Sequence, residues 1–158
     1  MASYFLDTSA LAKLYHQETG SAYVERLVQQ PGSIVLVSRL SLIEMESVFA
    51  IKVRTGELSP SDQELGRRRL RADVAQGRIL VGPPIEERHY QSARRLLTRY
   101  GVEMALRTLD SLQLALALDM HQLRQISFIV SADQRLCRVA EACGCSTINP
   151  ADPGVLTP

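Results

Sequence analysis

The sequence alternates short β-rich segments with helical patterns, and this alternation constrains the fold more than any other feature. The β-rich segments consist of branched and aromatic residues, and they predict strands at 4–6, 34–37, 79–81, 128–130 and 147–148. Helical periodicity fills the intervals between them. This order of elements is typical of a parallel sheet with helices packed on its faces. We therefore predict an α/β fold, a three-layer α/β/α sandwich with a central, mainly parallel sheet.

The length of the chain fits one domain. Of its 158 residues, 46% are hydrophobic, and this is enough apolar material to close a single core. No internal repeat, low-complexity tract or linker divides the sequence. We expect one domain over residues 1–150 and a C-terminal tail over residues 151–158.

The overall charge gives no preference for an acidic or a basic partner. Lys plus Arg number 18 and Asp plus Glu number 17, so the net charge is only +1. A contact with nucleic acid must therefore depend on a local basic surface. The densest basic run is 67–71, a candidate for contact with RNA phosphates or with a protein partner, although most such runs are solvated helix faces.

Cysteine content and hydropathy indicate a reducing, aqueous environment. Cys137, Cys143 and Cys145 cannot all pair with one another, and they lack the paired C-x-x-C spacing of a zinc site. No signal-peptide pattern is visible, and no apolar stretch reaches the roughly 20 residues that a membrane span requires. We expect reduced thiols, no membrane association and a cytoplasmic location.

Four acidic residues stand where a predicted strand gives way to a helix or where a helix begins. Asp7 follows the first strand and Asp133 follows the fourth. Glu44 opens the helix after the second strand, and Asp110 opens an apolar helix over residues 109–118. Open parallel sheets bind their ligands beyond the carboxyl ends of the strands. We therefore predict that the four side chains converge at that edge of the sheet.

Each of these acids also has a purely structural explanation. Asp7 and Asp133 occupy positions that suit helix N-caps. Glu44 ends the pattern Ser41-x-x-Glu44 of a capping box, in which its carboxylate returns to the Ser41 amide. Asp110 complements the positive end of a helix dipole. For each residue taken alone, these alternatives remain open.

Asp110 is the hardest of the four to explain by helix structure alone. Its helix is apolar on almost every face, which predicts that the helix is buried. An unpaired carboxylate at the start of a buried helix is costly, so Asp110 needs a cation partner. A divalent ion would serve all four acids, and ligation by oxygen alone favours Mg²⁺ or Mn²⁺ over zinc. Such ions catalyse hydrolysis of phosphodiester bonds.

Four segments in order resemble PIN domains, particularly the VapC toxins of bacterial and archaeal toxin–antitoxin pairs. The segments are FLDTSALAKLY, SRLSLIEMESVFA, LRTLDSLQLALAL and FIVSADQRLCRVAEACG, and the resemblance runs from about residue 4 to residue 150. The catalytic, metal-binding acids of the family correspond to Asp7, Glu44, Asp110 and Asp133. One departure is Gln113, because relatives often carry His in the segment after the third acid.

The resemblance implies a PIN-like fold and a Mg²⁺-dependent endoribonuclease, with Mn²⁺ as a substitute ion. Its substrate would be tRNA, rRNA or mRNA, and its cleavage would inhibit translation. The resemblance also implies a cognate VapB-like antitoxin, a homodimer, and contact with promoter DNA only through the antitoxin.

Other functions stay open on the sequence alone. A PIN-fold nuclease can act in RNA processing outside a toxin–antitoxin pair. An aspartyl-phosphate phosphotransfer protein also places Asp at strand ends, but it needs a D-x-D pattern where Ser9 stands here. A non-catalytic module could retain the fold and only bind an antitoxin segment or RNA.

Overall fold

A five-stranded parallel sheet forms the centre of the computed structural model, which describes residues 2–152. The strands are β1 (Ser3–Leu6), β2 (Ile34–Val37), β3 (Leu80–Val81), β4 (Phe128–Val130) and β5 (Thr147–Ile148). Their order is β3-β2-β1-β4-β5, and every pairing is parallel. The predicted α/β fold is confirmed, and each predicted strand boundary lies within one residue of the observed one.

Seven helices within the described residues connect the strands. They are α1 (Thr8–Ala12), α2 (Ser21–Gln29), α3 (Arg39–Arg54), α4 (Pro60–Ala75), α5 (Glu87–Tyr100), α6 (Thr108–Gln122) and α7 (Gln134–Ala142). Side chains alternate across a strand, so Leu6 joins a core formed with α1 to α4, whereas Phe5 joins a second core formed with α5 to α7. The sheet is therefore covered on both faces, as the three-layer prediction requires.

Helix α6 is the most buried helix of the second core. It was predicted over 109–118 and extends from Thr108 to Gln122. Its middle residues, Leu114 to Ala117, are almost wholly inaccessible to solvent. Helix α5 covers it with an apolar stripe that includes Ala93, Leu96 and Tyr100. The continuous apolar sequence of α6 thus reflects burial on all sides.

The strand register aligns the carboxyl ends of the strands. Leu6 pairs with both Val37 and Val130, and Val130 also pairs with Ile148. The residues that follow β1, β2 and β4 therefore leave the sheet side by side. The first residue after β1 is Asp7, whose amide donates to the carbonyl of Val130 at 3.0 Å.

The three cysteines are free thiols, and two of them are buried. Burial raises the pKa of Cys137 and of Cys145 to about 11, so both stay protonated at neutral pH. Both lie in the core as small apolar residues.

No helix in residues 2–152 is long and apolar enough to cross a bilayer.

At the C-terminal side, Pro150 is buried, and its carbonyl lies close to Gly20. A Cβ atom on residue 20 would approach that carbonyl oxygen to 2.6 Å. Gly20 also has a φ of +92°, a conformation that favours glycine. Of the predicted tail, 153–158 lie outside the described residues, and the domain limit at residue 150 stays a prediction.

Candidate active site

Asp7 is the most enclosed of the four predicted site acids. Its side chain is buried, and its Oδ1 accepts hydrogen bonds from the Ala10 amide at 2.9 Å and from Ser9 Oγ at 2.7 Å. Its Oδ2 accepts from Ser131 Oγ at 2.8 Å. Asp7 is therefore also the N-cap of α1, so the structural explanation and the predicted site role are compatible.

The environment of Asp7 works against its ionisation. Burial raises its pKa to about 6, while the hydrogen bonds from Ser9, Ala10 and Ser131 act in the opposite direction. The negative charge of Asp110 raises the pKa further. Asp110 is therefore a charged neighbour that disfavours the ionised form of Asp7.

Asp133 is the N-cap of α7. Its Oδ1 accepts from the amides of Arg135 at 2.8 Å and Leu136 at 3.4 Å. Its own amide donates to Ser131 Oγ at 3.0 Å, and the same Ser131 hydroxyl donates to Asp7. Ser131 is fully buried and links the two acids. The capping alternative is again correct, but it uses only one oxygen of Asp133.

Glu44 lies in the second turn of α3, and the prediction that it opens its helix is wrong. Helix α3 begins at Arg39 because Ser38, directly after β2, is its N-cap and accepts from the Ser41 amide at 2.9 Å. The capping box proposed between Ser41 and Glu44 is therefore also wrong, since that amide is already bonded. The Glu44 carboxylate instead contacts α1, where Thr8 Oγ1 donates to its Oε2 at 2.6 Å.

Gln113 is buried and connects Glu44 and Thr8 with the start of α3. Its Nε2 donates to Glu44 Oε2 at 2.5 Å and to Thr8 Oγ1 at 2.9 Å. Its Oε1 accepts from the hydroxyls of Ser38 at 2.7 Å and Ser41 at 3.1 Å. Sequence reasoning noted Gln113 only as a departure from relatives. The sequence feature that could have identified Gln113 is that it is the single amide in the predicted apolar helix over residues 109–118. It lies three residues after Asp110, on the same face of that helix.

Arg107 bridges two of the acids. Its Nε donates to Asp110 Oδ2 at 2.9 Å, and its Nη2 donates to Asp133 Oδ2 at 3.3 Å. The hydrogen bond with Asp110 is the largest cause of the raised pKa of Arg107, and the charges of Asp133 and Glu44 act in the same direction. Arg107 is therefore a cation partner of Asp110, while the divalent ion expected from the sequence stays a prediction.

Two other basic features have different roles. Lys13 lies near Asp7 in sequence, but its Nζ donates to Glu18 Oε1 and to the Thr19 carbonyl, both at 2.8 Å. In the basic run on α4, Arg67 binds Glu46 of α3 at 2.7 Å. The role of 67–71 in RNA or partner contact stays a prediction.

Asp7, Asp133 and Asp110 are connected through Ser131 and Arg107, whereas Glu44 belongs to a separate set of hydrogen bonds with Thr8 and Gln113. Within residues 2–152, no three His, Cys, Asp or Glu side chains are already gathered closely enough to bind one metal ion. The atoms that the four acids offer as metal ligands are nevertheless all oxygens, which suits Mg²⁺ or Mn²⁺. The Arg107 guanidinium already lies between Asp110 and Asp133. The chemistry of the four acidic side chains therefore suits a divalent ion.

The family model of the PIN domain matches residues 4–142. The chain belongs to the PIN-domain family. The match includes Asp7, Glu44, Asp110 and Asp133, and it confirms the resemblance found in the sequence. No curated protein sequence matches this PIN domain.

Solved structures of other proteins share the fold of this PIN domain. FitAcB of Neisseria gonorrhoeae aligns with a TM-score of 0.62 at 16% identity, over 94% of this chain and 99% of that chain. VapC20 of Mycobacterium tuberculosis, a sarcin–ricin loop-cleaving toxin, aligns with a TM-score of 0.61 at 16% identity, over 90% and 95%. VapBC2 of Rickettsia felis, bound to promoter DNA, aligns with a TM-score of 0.60 at 14% identity, over 93% and 98%.

Proposed function

We propose that this PIN domain is a Mg²⁺-dependent endoribonuclease, with Mn²⁺ as a substitute ion, and that it is the toxin of a type II toxin–antitoxin system. The observation that carries the proposal is the chain of contacts Asp7–Ser131–Asp133–Arg107–Asp110 at the carboxyl edge of the sheet. These residues come from three separate parts of the chain. A helix cap alone requires none of the contacts between them.

The acids and their supporting residues would divide the work of the site. Asp7, Glu44, Asp110 and Asp133 would supply the ligand oxygens, and the bound ion would activate water and stabilise the negative charge that develops on the phosphodiester. Ser9 and Ser131 fix the orientation of Asp7. Thr8 and Gln113 fix Glu44. Supporting hydrogen bonds of this kind hold ligands ready and tune their affinity for metal.

The toxin assignment is supported by the proteins that share the fold. One is a sarcin–ricin loop-cleaving toxin, and another is bound to DNA from its promoter. We propose by analogy that this PIN domain cleaves tRNA, rRNA or mRNA in the cytoplasm and thereby inhibits translation. We further propose a homodimer, a VapB-like antitoxin as partner, and promoter contact through that antitoxin.

Removal of metal should abolish the proposed activity. We expect purified protein to cleave tRNA or rRNA with added Mg²⁺ or Mn²⁺ and to leave both intact in excess EDTA, because the carboxylates alone cannot activate water sufficiently. Cleavage is measured on end-labelled RNA, and induction of the gene should arrest growth. Equal cleavage in EDTA would contradict metal-dependent chemistry, and intact RNA in every metal condition would contradict the nuclease proposal.

The affinity for metal should depend on pH through Asp7. Its pKa of about 6 means that the side chain is mostly protonated below pH 6 and ionised above pH 7. A proton and a metal ion compete for the same oxygens, so Mn²⁺ affinity should be nearly constant from pH 7 to 8 and fall towards pH 5. Calorimetric titrations at pH 5, 6, 7 and 8 measure this. A decline that begins only near pH 4 would indicate an ordinary exposed carboxylate.

A further inference from the structure

Arg107 binds one oxygen of Asp110 and the oxygen of Asp133 that helix capping leaves free. Asp133 uses Oδ1 to cap α7 and presents Oδ2 to Arg107. Asp110 presents its own Oδ2 to the same guanidinium. Arg107 itself is the last residue before α6, so one short connection places it between two helix starts that are far apart in sequence.

The charges around Arg107 explain why a cation is held there. Asp110, Asp133 and Glu44 all raise its pKa, so it remains protonated at any physiological pH. The negative charge of Asp110 also reaches Asp7. Without the guanidinium, the edge of the sheet would carry four acids with no positive charge bonded to Asp110. Arg107 therefore offsets a repulsion that the fold itself creates.

A divalent ion bound to the Oδ2 atoms of Asp110 and Asp133 would lie next to the Arg107 guanidinium, and the two cations would repel each other. Mg²⁺ and Mn²⁺ bind carboxylate oxygens directly, and the Oδ2 atoms of Asp110 and Asp133 already accept hydrogen bonds from Arg107. The Arg107 side chain is 64% exposed, whereas those of Asp110 and Asp133 are 24% and 19% exposed. The arginine can thus leave into solvent, while the acids stay anchored.

We propose that Arg107 is the built-in counter-ion of the metal-free site, and that a divalent ion displaces it from Asp110 and Asp133. The inference rests on the proposed function, because it takes the acids to be metal ligands. A purely structural salt bridge between α6 and α7 would persist when metal binds. A displaced counter-ion instead makes metal binding weaker than the acids alone would allow, and it stabilises mainly the metal-free protein.

Calorimetric titration with Mn²⁺ tests the competition. Arg107→Gln removes the competing cation and should bind Mn²⁺ about tenfold more tightly than the unmodified protein, which corresponds to about 1.4 kcal/mol. Arg107→Lys should lie between the two, since an ammonium group lacks the planar fork that reaches both acids. Arg135→Gln is the local control, because Arg135 lies 3.5 Å from Asp133 but on the capping Oδ1. It should change the affinity by less than about threefold.

Thermal unfolding separates a counter-ion from a structural bridge. In EDTA, Arg107→Gln should unfold at a lower temperature than the unmodified protein, because Asp110 loses its cation. At saturating Mn²⁺ the two proteins should unfold at the same temperature or in the reverse order. A structural bridge would give the same deficit in both conditions. Arg138→Gln also removes one positive charge, at an exposed position of α7, and it controls for the change in net charge.

The outcomes distinguish this inference from the proposed function. If the unmodified protein binds Mn²⁺ and cleaves RNA, but Arg107→Gln binds Mn²⁺ equally or more weakly, the displacement is overturned and the nuclease proposal stands. If the unmodified protein binds no Mn²⁺, both are overturned. If Arg107→Gln does not fold, as judged by circular dichroism, Arg107→Lys decides the matter. Its affinity must then exceed that of the unmodified protein.

Discussion

Asp7→Asn is expected to abolish metal-dependent RNA cleavage while leaving the protein folded. Asparagine keeps an oxygen that accepts from Ala10 and Ser9, and its amide can donate to Ser131, whose hydroxyl can rotate to receive it. The substitution removes the negative charge that a hard cation requires. Cleavage should fall by at least about 10²-fold, the scale of losing one preorganised electrostatic group.

The same substitution should not weaken the metal-free fold. The pKa of Asp7 in the folded protein, about 6, lies above its ordinary value of 3.8, so the folded state holds the proton more tightly than the unfolded state. Stability from that proton is present at low pH and is lost as the pH rises from about 4 to about 6. Ionised Asp7 then costs at most about 3 kcal/mol at neutral pH. Asp7→Asn removes this cost, so its melting temperature in EDTA at pH 7 should be unchanged or higher.

Two measurements on one preparation check this prediction. RNA cleavage with Mn²⁺ reports the loss of activity, and thermal unfolding in EDTA reports the fold. Asp62→Asn, in the exposed first turn of α4, is the matched control and should retain full cleavage. Cleavage by Asp7→Asn at the unmodified rate would remove Asp7 from the site. A large fall in its melting temperature would show that Asp7 serves folding instead.

The sequence was sufficient to predict the parts of the fold that depend on local pattern. Branched residues marked the five strands, and parallel alternation placed Asp7 and Asp133 at one edge of the sheet. Strand order was not predictable, because pairing depends on contacts between distant segments. The position of Glu44 was missed because two serines, Ser38 and Ser41, both suit a helix start. The one nearest the strand is the cap.

The parts of the candidate site that the sequence could not predict are contacts between residues far apart in the chain. Ser131 and Asp7 are 124 residues apart, and no spacing rule relates their side chains. Capping and site roles were treated as alternatives for Asp7 and Asp133. The structure shows that a carboxylate has enough acceptor positions for a cap and a further partner at once. Pattern alone cannot assign the two oxygens of one side chain separately.

Gln113→Leu should destabilise the protein more than any other single change to the residues that support the acids. Leucine has a similar size but cannot donate to Glu44 or accept from Ser38 and Ser41, both of which are fully buried. These two hydroxyls lie 3.0 Å apart and can satisfy each other only in part. Buried polar groups without partners cost about 1–3 kcal/mol each, so the free energy of unfolding should fall by about 2–4 kcal/mol.

Urea unfolding of matched variants measures this loss. Gln122→Leu makes the same chemical change at an exposed position of α6 and should alter the free energy of unfolding by less than about 0.5 kcal/mol. Gln113→His restores one donor and one acceptor and should lie between the two leucine variants. A loss for Gln113→Leu no larger than that of the exposed control would mean that the amide network adds nothing to stability.

The network around Gln113 should also affect metal binding, because Glu44 would keep only Thr8 as a fixed donor. A carboxylate ligand that loses a supporting hydrogen bond typically binds metal 10–100-fold more weakly, so Mn²⁺ affinity of Gln113→Leu should fall by about that factor. The direction is opposite to that expected for Arg107→Gln, although both variants should be less stable without metal. Gln113 orients a ligand, whereas Arg107 competes for one, and calorimetry on the two variants distinguishes these roles by the sign of the change.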